Sequence, residues 1–460
     1  MLNLLSISSV FSTIISIFFA ILVLLIMITI HEFGHYIAGK IFKFKINEFA
    51  IGMGPAIFKR KSKKTGEVFS IRVLPLGGYC AFDGEDEEGV EENSFNKKEP
   101  WKRLIVLLSG ATMNFILGVL VLIMSIGIYG QLLINTPDVM PVNEEYTQEY
   151  SLKTNDTILE VNGKDIFMAS DISVALKGKK KGDIVSVVVN SNGKRESRKV
   201  KLRNDVSSSN LTDVYSSMTA LGIATVVKVD GITPTSQIKN GDYLLRIKDA
   251  QEYKDCTRIY SKLDLINYAK TLPINSDCEF YITDSSTQTG YRLISIKIAE
   301  DITNFEDLEI LKLLGISKAS TYINYQTTNC KFGFFESIKR GGEYSIVVAG
   351  TIFTTLGELL TGKLGISAMG GPITTISMTS TAIKVGGFNF FLEILGFIGI
   401  NLAVFNLLPI PALDGSRAVF TTIEWIRKKP INRKVEGIIH AIGLVFLLSF
   451  CILVDVLQLL

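Results

Sequence analysis

The chain has 460 residues, 47% of them hydrophobic, and its 48 basic and 45 acidic side chains leave a net charge of +3. That apolar content over this length describes a multi-span membrane protein and excludes an ordinary soluble enzyme. A nearly neutral balance gives no electrostatic basis for a nucleic-acid partner, and no Gly-rich phosphate loop is present to hold a nucleotide.

The first candidate span runs from about Val10 to Ile41, and its stretch from Val10 to Ile30 carries no charge. That is long enough to cross a hydrocarbon core of roughly 30 Å. It ends in His31-Glu32-Phe33-Gly34-His35. Histidines at i and i+4 share one helical face, so one metal ion can touch both rings, with Glu32 beside any water held there. Ionisable groups in an apolar segment are expensive and mark function. The segment lacks a basic leader and a small-residue cleavage site, so it reads as retained and not as a signal peptide.

Residues 45–82 alternate apolar and polar positions and end in Leu74-Pro75-Leu76-Gly77-Gly78-Tyr79, which predicts a small hairpin or sheet on the metal side of the membrane. The acidic run Asp83 to Glu92 reads as a solvated loop. A second span, about Leu104 to Ile134, is uncharged throughout. The region after it is β-rich and repeats itself. Asn155 to Gly163 parallels Gly241 to Asp249, each followed by a short helical stretch (Asp171 to Leu176; Leu263 to Ala269) and a strand (Ile184 to Val189; Cys278 to Ile282). This pattern predicts two tandem domains of one kind. Of the 5 cysteines, Cys256 and Cys278 fall in this region, and a disulfide or two unpaired thiols are equally compatible with it. Tyr344 to Leu356 is too short to span and reads as an interfacial or buried helix. Third and fourth spans cover about Gly387 to Leu413 and Gly437 to Leu460.

Basic clusters at Lys59 to Lys64, Lys97 to Arg103 and Arg427 to Lys434 lie between spans one and two and between spans three and four. The positive-inside rule makes those loops cytoplasmic, and places both termini and the segment from about 135 to 340 outside. His31, His35 and Asp414 then share a cytoplasmic-side depth.

Two histidines need a third protein ligand. A further histidine at the metzincin position is ruled out by Ile41, and His440 on the fourth span reads as a polar-interface or packing residue. A carboxylate remains. Asp414 closes Asn406-Leu407-Leu408-Pro409-Ile410-Pro411-Ala412-Leu413-Asp414-Gly415, where two prolines break the helix and Gly415 permits a sharp turn. Within the spans, Glu393 is the alternative carboxylate, towards the outer end.

His31-Glu32-x-x-His35 at the end of the first span, the Leu74 to Tyr79 segment, Gly370-Gly371-Pro372-Ile373, and Asn406 through Gly415 together resemble the site-2 protease family of regulated intramembrane zinc metalloproteases. The resemblance implies Zn2+ held by His31, His35 and Asp414, with Glu32 as the base acting on a metal-held water. It counts Asn406, Gly77, Gly78, Pro409 and Pro411 as substrate-binding, the Gly77-Gly78 strand pairing edge-on with substrate. The repeats resemble tandem PDZ domains, with Ala220-Leu221-Gly222-Ile223 similar to the carboxylate-binding loop before the second.

The expected fold is a mainly α membrane protein. Four transmembrane helices surround an intramembrane zinc site, with a membrane-associated β-hairpin and an inserted extracytoplasmic tandem PDZ-like region. The expected divisions are 1–134 (spans one and two), 135–205 and 206–300 (PDZ-like domains), 301–385 (a juxtamembrane helical segment) and 386–460 (spans three and four). The expected activity is cleavage within single-span membrane proteins already trimmed by another protease, in the lipid bilayer of the plasma membrane. The competing reading is a zinc-binding membrane sensor or scaffold without protease activity.

Overall fold

The computed structural model describes residues 7–85, 92–207, 213–234, 236–248, 258–284, 291–362, 365 and 370–459. They form two compact units, Gln131–Cys330 and the flanking sequence on both sides of it.

The chain opens with α1 (Ile7–Ile41), whose 35 residues measure roughly 52 Å at 1.5 Å each. Strands β1 (Ile46–Lys61) and β2 (Val68–Phe82) follow. They do more than pair as a hairpin. Glu48 pairs with both Ala81 and Val68, and Phe49 with both Cys80 and Phe69, so the first half of β1 lies between the two halves of β2. The fold-back needs left-handed backbone at Gly52 (φ 85), where a Cβ would stand 2.6 Å from Leu74 O, and at Gly77 (φ 97). The Gly78–Phe82 half of β2 is left on an edge of this small sheet. Phe49, Cys80 and Phe82 share a buried cluster with Ala38, Val106 and Leu107, which fixes the sheet beside the first two helices. In the acidic run, Asp83 accepts a hydrogen bond from Ser94 and Glu85 pairs with Arg417, so its first residues are anchored; residues 86–91 lie outside the described set.

Helix α2 (Pro100–Tyr129) ends at Gly130 (φ 86). The expected second span therefore stops short of Ile134: Gln131–Thr136 is strand β3. In the inserted unit, β4 (Asp156–Val161), β5 (Lys164–Asp165), α3 (Ala169–Ala175), β6 (Ile184–Ser191) and β7 (Lys194–Lys201) come next, then α4 (Val214–Ala220). The second repeat has β8 (Thr225–Ile232), β9 (Tyr243–Ile247), α5 (Lys262–Thr271), β10 (Asp277–Thr283), β11 (Tyr291–Lys297), α6 (Asp307–Leu313) and β12 (Ile316–Ile323), and β13 (Gln326–Cys330) returns to the first. Asn192 and Gly193, both at positive φ, make the two-residue turn between β6 and β7.

The two sheets run β13-β3-β4-β6-β7, with β5 paired to β4, and β11-β10-β9-β8-β12. These pairings correct the expected divisions. The first sheet begins at 131, and the interval 301–385, expected to be helical, contributes one closing strand to each sheet. Leu221 and Ile223 are buried in the first core, so the Ala220 to Ile223 loop ends the first repeat and does not begin the second. A matching Leu313-Leu314-Gly315-Ile316 follows α6 and ends the second, with Gly222 and Gly315 at φ 80 and 84. Closing strands pair across long sequence separations, which local patterning does not register. Cys278 is a free thiol buried in the second core; Cys256 lies outside the described residues.

The chain returns with α7 (Phe334–Leu360). At 27 residues it is twice the apolar run seen in the sequence, because its N-terminal half is amphipathic and buries Ser337, Arg340 and Gly341. Helix α8 (Pro372–Leu407) kinks at Gly387 (φ 64), and the segment 408–413 is irregular. Helices α9 (Asp414–Arg427) and α10 (Arg433–Leu459) complete the unit. Among the described residues four helices are long and apolar enough to cross a membrane: Ile17–Ile41, Pro100–Tyr129, Gly387–Leu407 and Lys434–Leu457.

Lipid is as apolar as leucine, so close approach between small residues holds such helices together. A Cβ on Gly118 would stand 2.8 Å from Ile400 Cγ1 and 2.9 Å from Gly396 O, at the α2–α8 crossing. Gly118→Ala should cost about 1–3 kcal/mol and lower the thermal midpoint in detergent. Gly350→Ala, with nothing within 4 Å of its Cβ, should leave it unchanged. Burial pushes the Cys278 thiol up to about 12, so its thiolate is scarce at pH 8. Native protein should resist iodoacetamide there and react on unfolding, as peptide mass mapping would show.

Candidate metal centre

Three chain segments converge on one point. On α1, the i,i+4 spacing puts the His31 and His35 rings together, with their Nε2 atoms 3.1 Å apart. Asp414, the first residue of α9, places Oδ2 2.8 Å from His31 Nε2 and 3.3 Å from His35 Nε2. A carboxylate at that position also meets the positive end of the helix dipole. The three form the group of potential metal ligands among the described residues, and both histidines are buried. Glu393 is not among them. Thirteen residues before Asn406 on α8, it stands roughly 20 Å further along that helix.

The residues fit zinc. A tetrahedral site with bonds of about 2.0–2.1 Å has ligand atoms about 3.3 Å apart, close to the three separations found here. Two imidazoles and a carboxylate, with a fourth position left for water or substrate, are a catalytic zinc donor set. The surrounding groups orient the rings. His35 Nδ1 donates to Val106 O at 2.7 Å, which leaves Nε2 as the atom available to a metal. The Asn406 amide lies 3.3 Å from His31 Nδ1 and steadies the second ring.

Small residues make room for this. A Cβ on Gly34 would stand 2.4 Å from Ser109 O, and one on Gly110 would stand 2.5 Å from His35 Nε2. Gly110 carries no local motif, and its role exists only where α1 crosses α2. The Asp414 segment is similarly tight. Gly415 is helical, and the reason for it is space: a Cβ there would meet Leu407 and Leu408 backbone at 2.4 Å. The sharp turn falls instead at Ala412, at φ 84, a conformation costing a non-glycine residue of order 1–3 kcal/mol. Buried Arg103 on α2 pairs with Glu424 at 3.1 Å and fixes α9 from its far end.

Glu32 points to the sheet, where its Oε2 accepts the Cys80 N–H at 3.0 Å. A Cβ on Gly78 would come within 3.5 Å of Glu32 Cγ, so this glycine is beside the carboxylate, whereas Gly77 faces Met53. Pro409 lines an apolar cavity of about 470 Å³ with Ala111, Phe115, Phe353 and Leu407, and Pro411 packs under α10. The structure thus gathers His31, His35, Asp414, Glu32, Asn406 and Gly78, and sets Gly77, Pro409 and Pro411 at the periphery.

The sequence matches peptidase family M50 over residues 19–450. It is 27% identical to a candidate zinc metalloprotease of Fusobacterium nucleatum over 95% of this chain and 96% of that protein. It is 27% identical to the regulator of sigma E protease of Haemophilus influenzae (94% and 96%). It is 28% identical to the zinc metalloprotease RasP of Bacillus licheniformis (93% and 94%).

Gly110→Ala should push the His35 ring off its position and lower the zinc retained per chain after dialysis. Gly127→Ala, whose nearest neighbour is Ser337 at 3.8 Å, should retain wild-type zinc by atomic absorption.

Proposed function

The chain belongs to peptidase family M50, the site-2 protease family of zinc metallopeptidases, and from that premise we propose that it hydrolyses peptide bonds within transmembrane segments of single-span membrane proteins. One observation carries the reading. A base carboxylate, a three-ligand cluster and a sheet edge meet at the Glu32–Cys80 contact, inside a span.

His31, His35 and Asp414 would hold the zinc. When bound, zinc supplies Lewis acidity, polarising a peptide carbonyl and easing deprotonation of a water. Glu32 takes that proton and returns it to the leaving amine. Its orientation comes from the Cys80 N–H, which points out of the sheet. By the two-residue strand period, Gly78 presents its backbone on the same side. A helix must unwind before its peptide bonds can be cut, and a strand edge accepts the freed backbone groups. The absence of a side chain at Gly78 lets that backbone approach closely. Asn406, already against His31, steadies the ring and the segment being cut.

In this reading the basic turns at Lys59 to Lys64 and Arg427 to Lys434 face the cytoplasm, cleavage falls near that face, and the inserted unit lies outside. Its two sheets, each closed by a Leu-Gly-Ile loop and strand, are PDZ-like domains that select substrates already shortened by another protease.

Glu32→Gln should keep about one zinc per chain and reduce cleavage of single-span substrates by roughly 10²–10⁴-fold. Asp414→Ala should lose zinc and activity together, and Glu393→Ala should keep both. Cleavage by the Glu32→Gln enzyme at the wild-type rate would sink the assignment.

A further inference from the structure

The Asp414 ligand sits on a loop that is strained and breaks regular structure, so something must hold it. Ala412, two residues before Asp414, has φ 84. Its N–H donates to His440 Nδ1 on α10 at 3.0 Å. One turn further along α10, Gly443 lies so close that a Cβ would stand 2.4 Å from Pro411 Cβ and 2.6 Å from Pro411 O. The His440 ring is itself seated edge-on against Phe420 of α9, with centroids 5.7 Å apart. The other end of α10 is fixed independently: Asp455 accepts from the Thr374 N–H at 3.1 Å and the Thr374 hydroxyl at 3.0 Å, at the start of α8.

We propose that His440 is a positioning residue for the metal ligand Asp414: its Nδ1 accepts the Ala412 N–H and, with Gly443 against Pro411, holds the ligand loop in its strained conformation. The zinc-site reading above is its premise. A loop in left-handed backbone at an alanine persists only where its surroundings over-determine it, and an acceptor for the Ala412 N–H is the group that selects that conformation here. Packing alone would make any residue of similar size acceptable at 440. The hydrogen bond instead demands an acceptor at the Nδ1 position. An asparagine carbonyl can occupy that position, and a longer glutamine overshoots it.

The test measures zinc affinity of the purified full-length chain in detergent by chelator competition, with zinc alone as the probe, alongside thermal unfolding of the metal-free protein. His440→Gln and His440→Leu should bind zinc about 10–100-fold more weakly, the usual cost of losing a group that supports a metal ligand. His440→Asn should stay within a few-fold of wild type. Adding Ala412→Gly to His440→Leu should recover most of the loss, because glycine adopts φ 84 without a supporting bond. Equal affinities for the Asn and Gln variants, or no recovery on Ala412→Gly in protein that melts normally, would overturn the role. Should His440→Leu fail to fold, the Asn and Gln pair still decides. Wild-type protein that holds no zinc would remove the zinc-site reading itself; wild-type zinc binding with an unaffected His440→Gln would remove this proposal alone.

Discussion

The approach of α1 to α2 is the constraint on which the candidate metal centre depends. Where they cross, Gly34 meets the Ser109 carbonyl and Gly110 meets the two imidazoles, at separations that no side chain could share. Only because the backbones come this close can His35 reach the Val106 carbonyl and turn its other nitrogen towards Asp414. Hydrophobic burial cannot drive this contact in lipid, so packing and hydrogen bonding must hold it. Bulk at either glycine acts on the rings before it acts on overall stability.

A second constraint is polar satisfaction. Within the apolar unit three buried or half-buried ionisable groups are tied to another element: Arg103 to Glu424, Asp455 to the start of α8, His440 to the loop before Asp414. Unsatisfied groups of this kind are costly in a medium without water. Each bond also fixes the register of one helix against another. Helices α2, α8, α9 and α10 are thereby located along their axes by polar contacts, while the glycine crossings set the separation of α1, α2 and α8.

Legibility in the sequence followed locality. His31, Glu32 and His35 are visible because the i,i+4 rule is satisfied within five residues. Asp414 is visible because prolines and a glycine punctuate the end of a span. The spans stood out by composition, with end errors where α2 passes into β3 and where α8 stops at Leu407, short of the expected Leu413. Gly110, the Cys80 N–H and His440 were not legible, since each acts through a neighbour from a distant segment. The same holds for β12 and β13, which close sheets begun far upstream. The reading of Tyr344 to Leu356 as a non-spanning helix matches α7 but falls short of its N-terminal half, whose buried amphipathic stripe is hidden from a hydropathy window. Gly415 was legible as a glycine that matters, but the sequence does not separate a turn from a steric need, and the positive φ belongs to Ala412.

The insertion of 200 residues between α2 and α7 poses no obstacle to a site built from both ends of the chain, for a reason visible within the insert. Its first and last residues, Gln131 and Cys330, are strand partners in the β3–β13 ladder. A folded segment whose ends meet behaves, for the chain that carries it, like a short loop. The entropy of closing it was spent in folding the insert and grows only slowly with length. His31 and Asp414 are 383 residues apart in sequence, yet the separation that matters to the metal centre is that of the helices in its own unit. The inserted unit can therefore vary in length and surface without moving His31, His35 or Asp414, because its ends stay paired in the β3–β13 ladder.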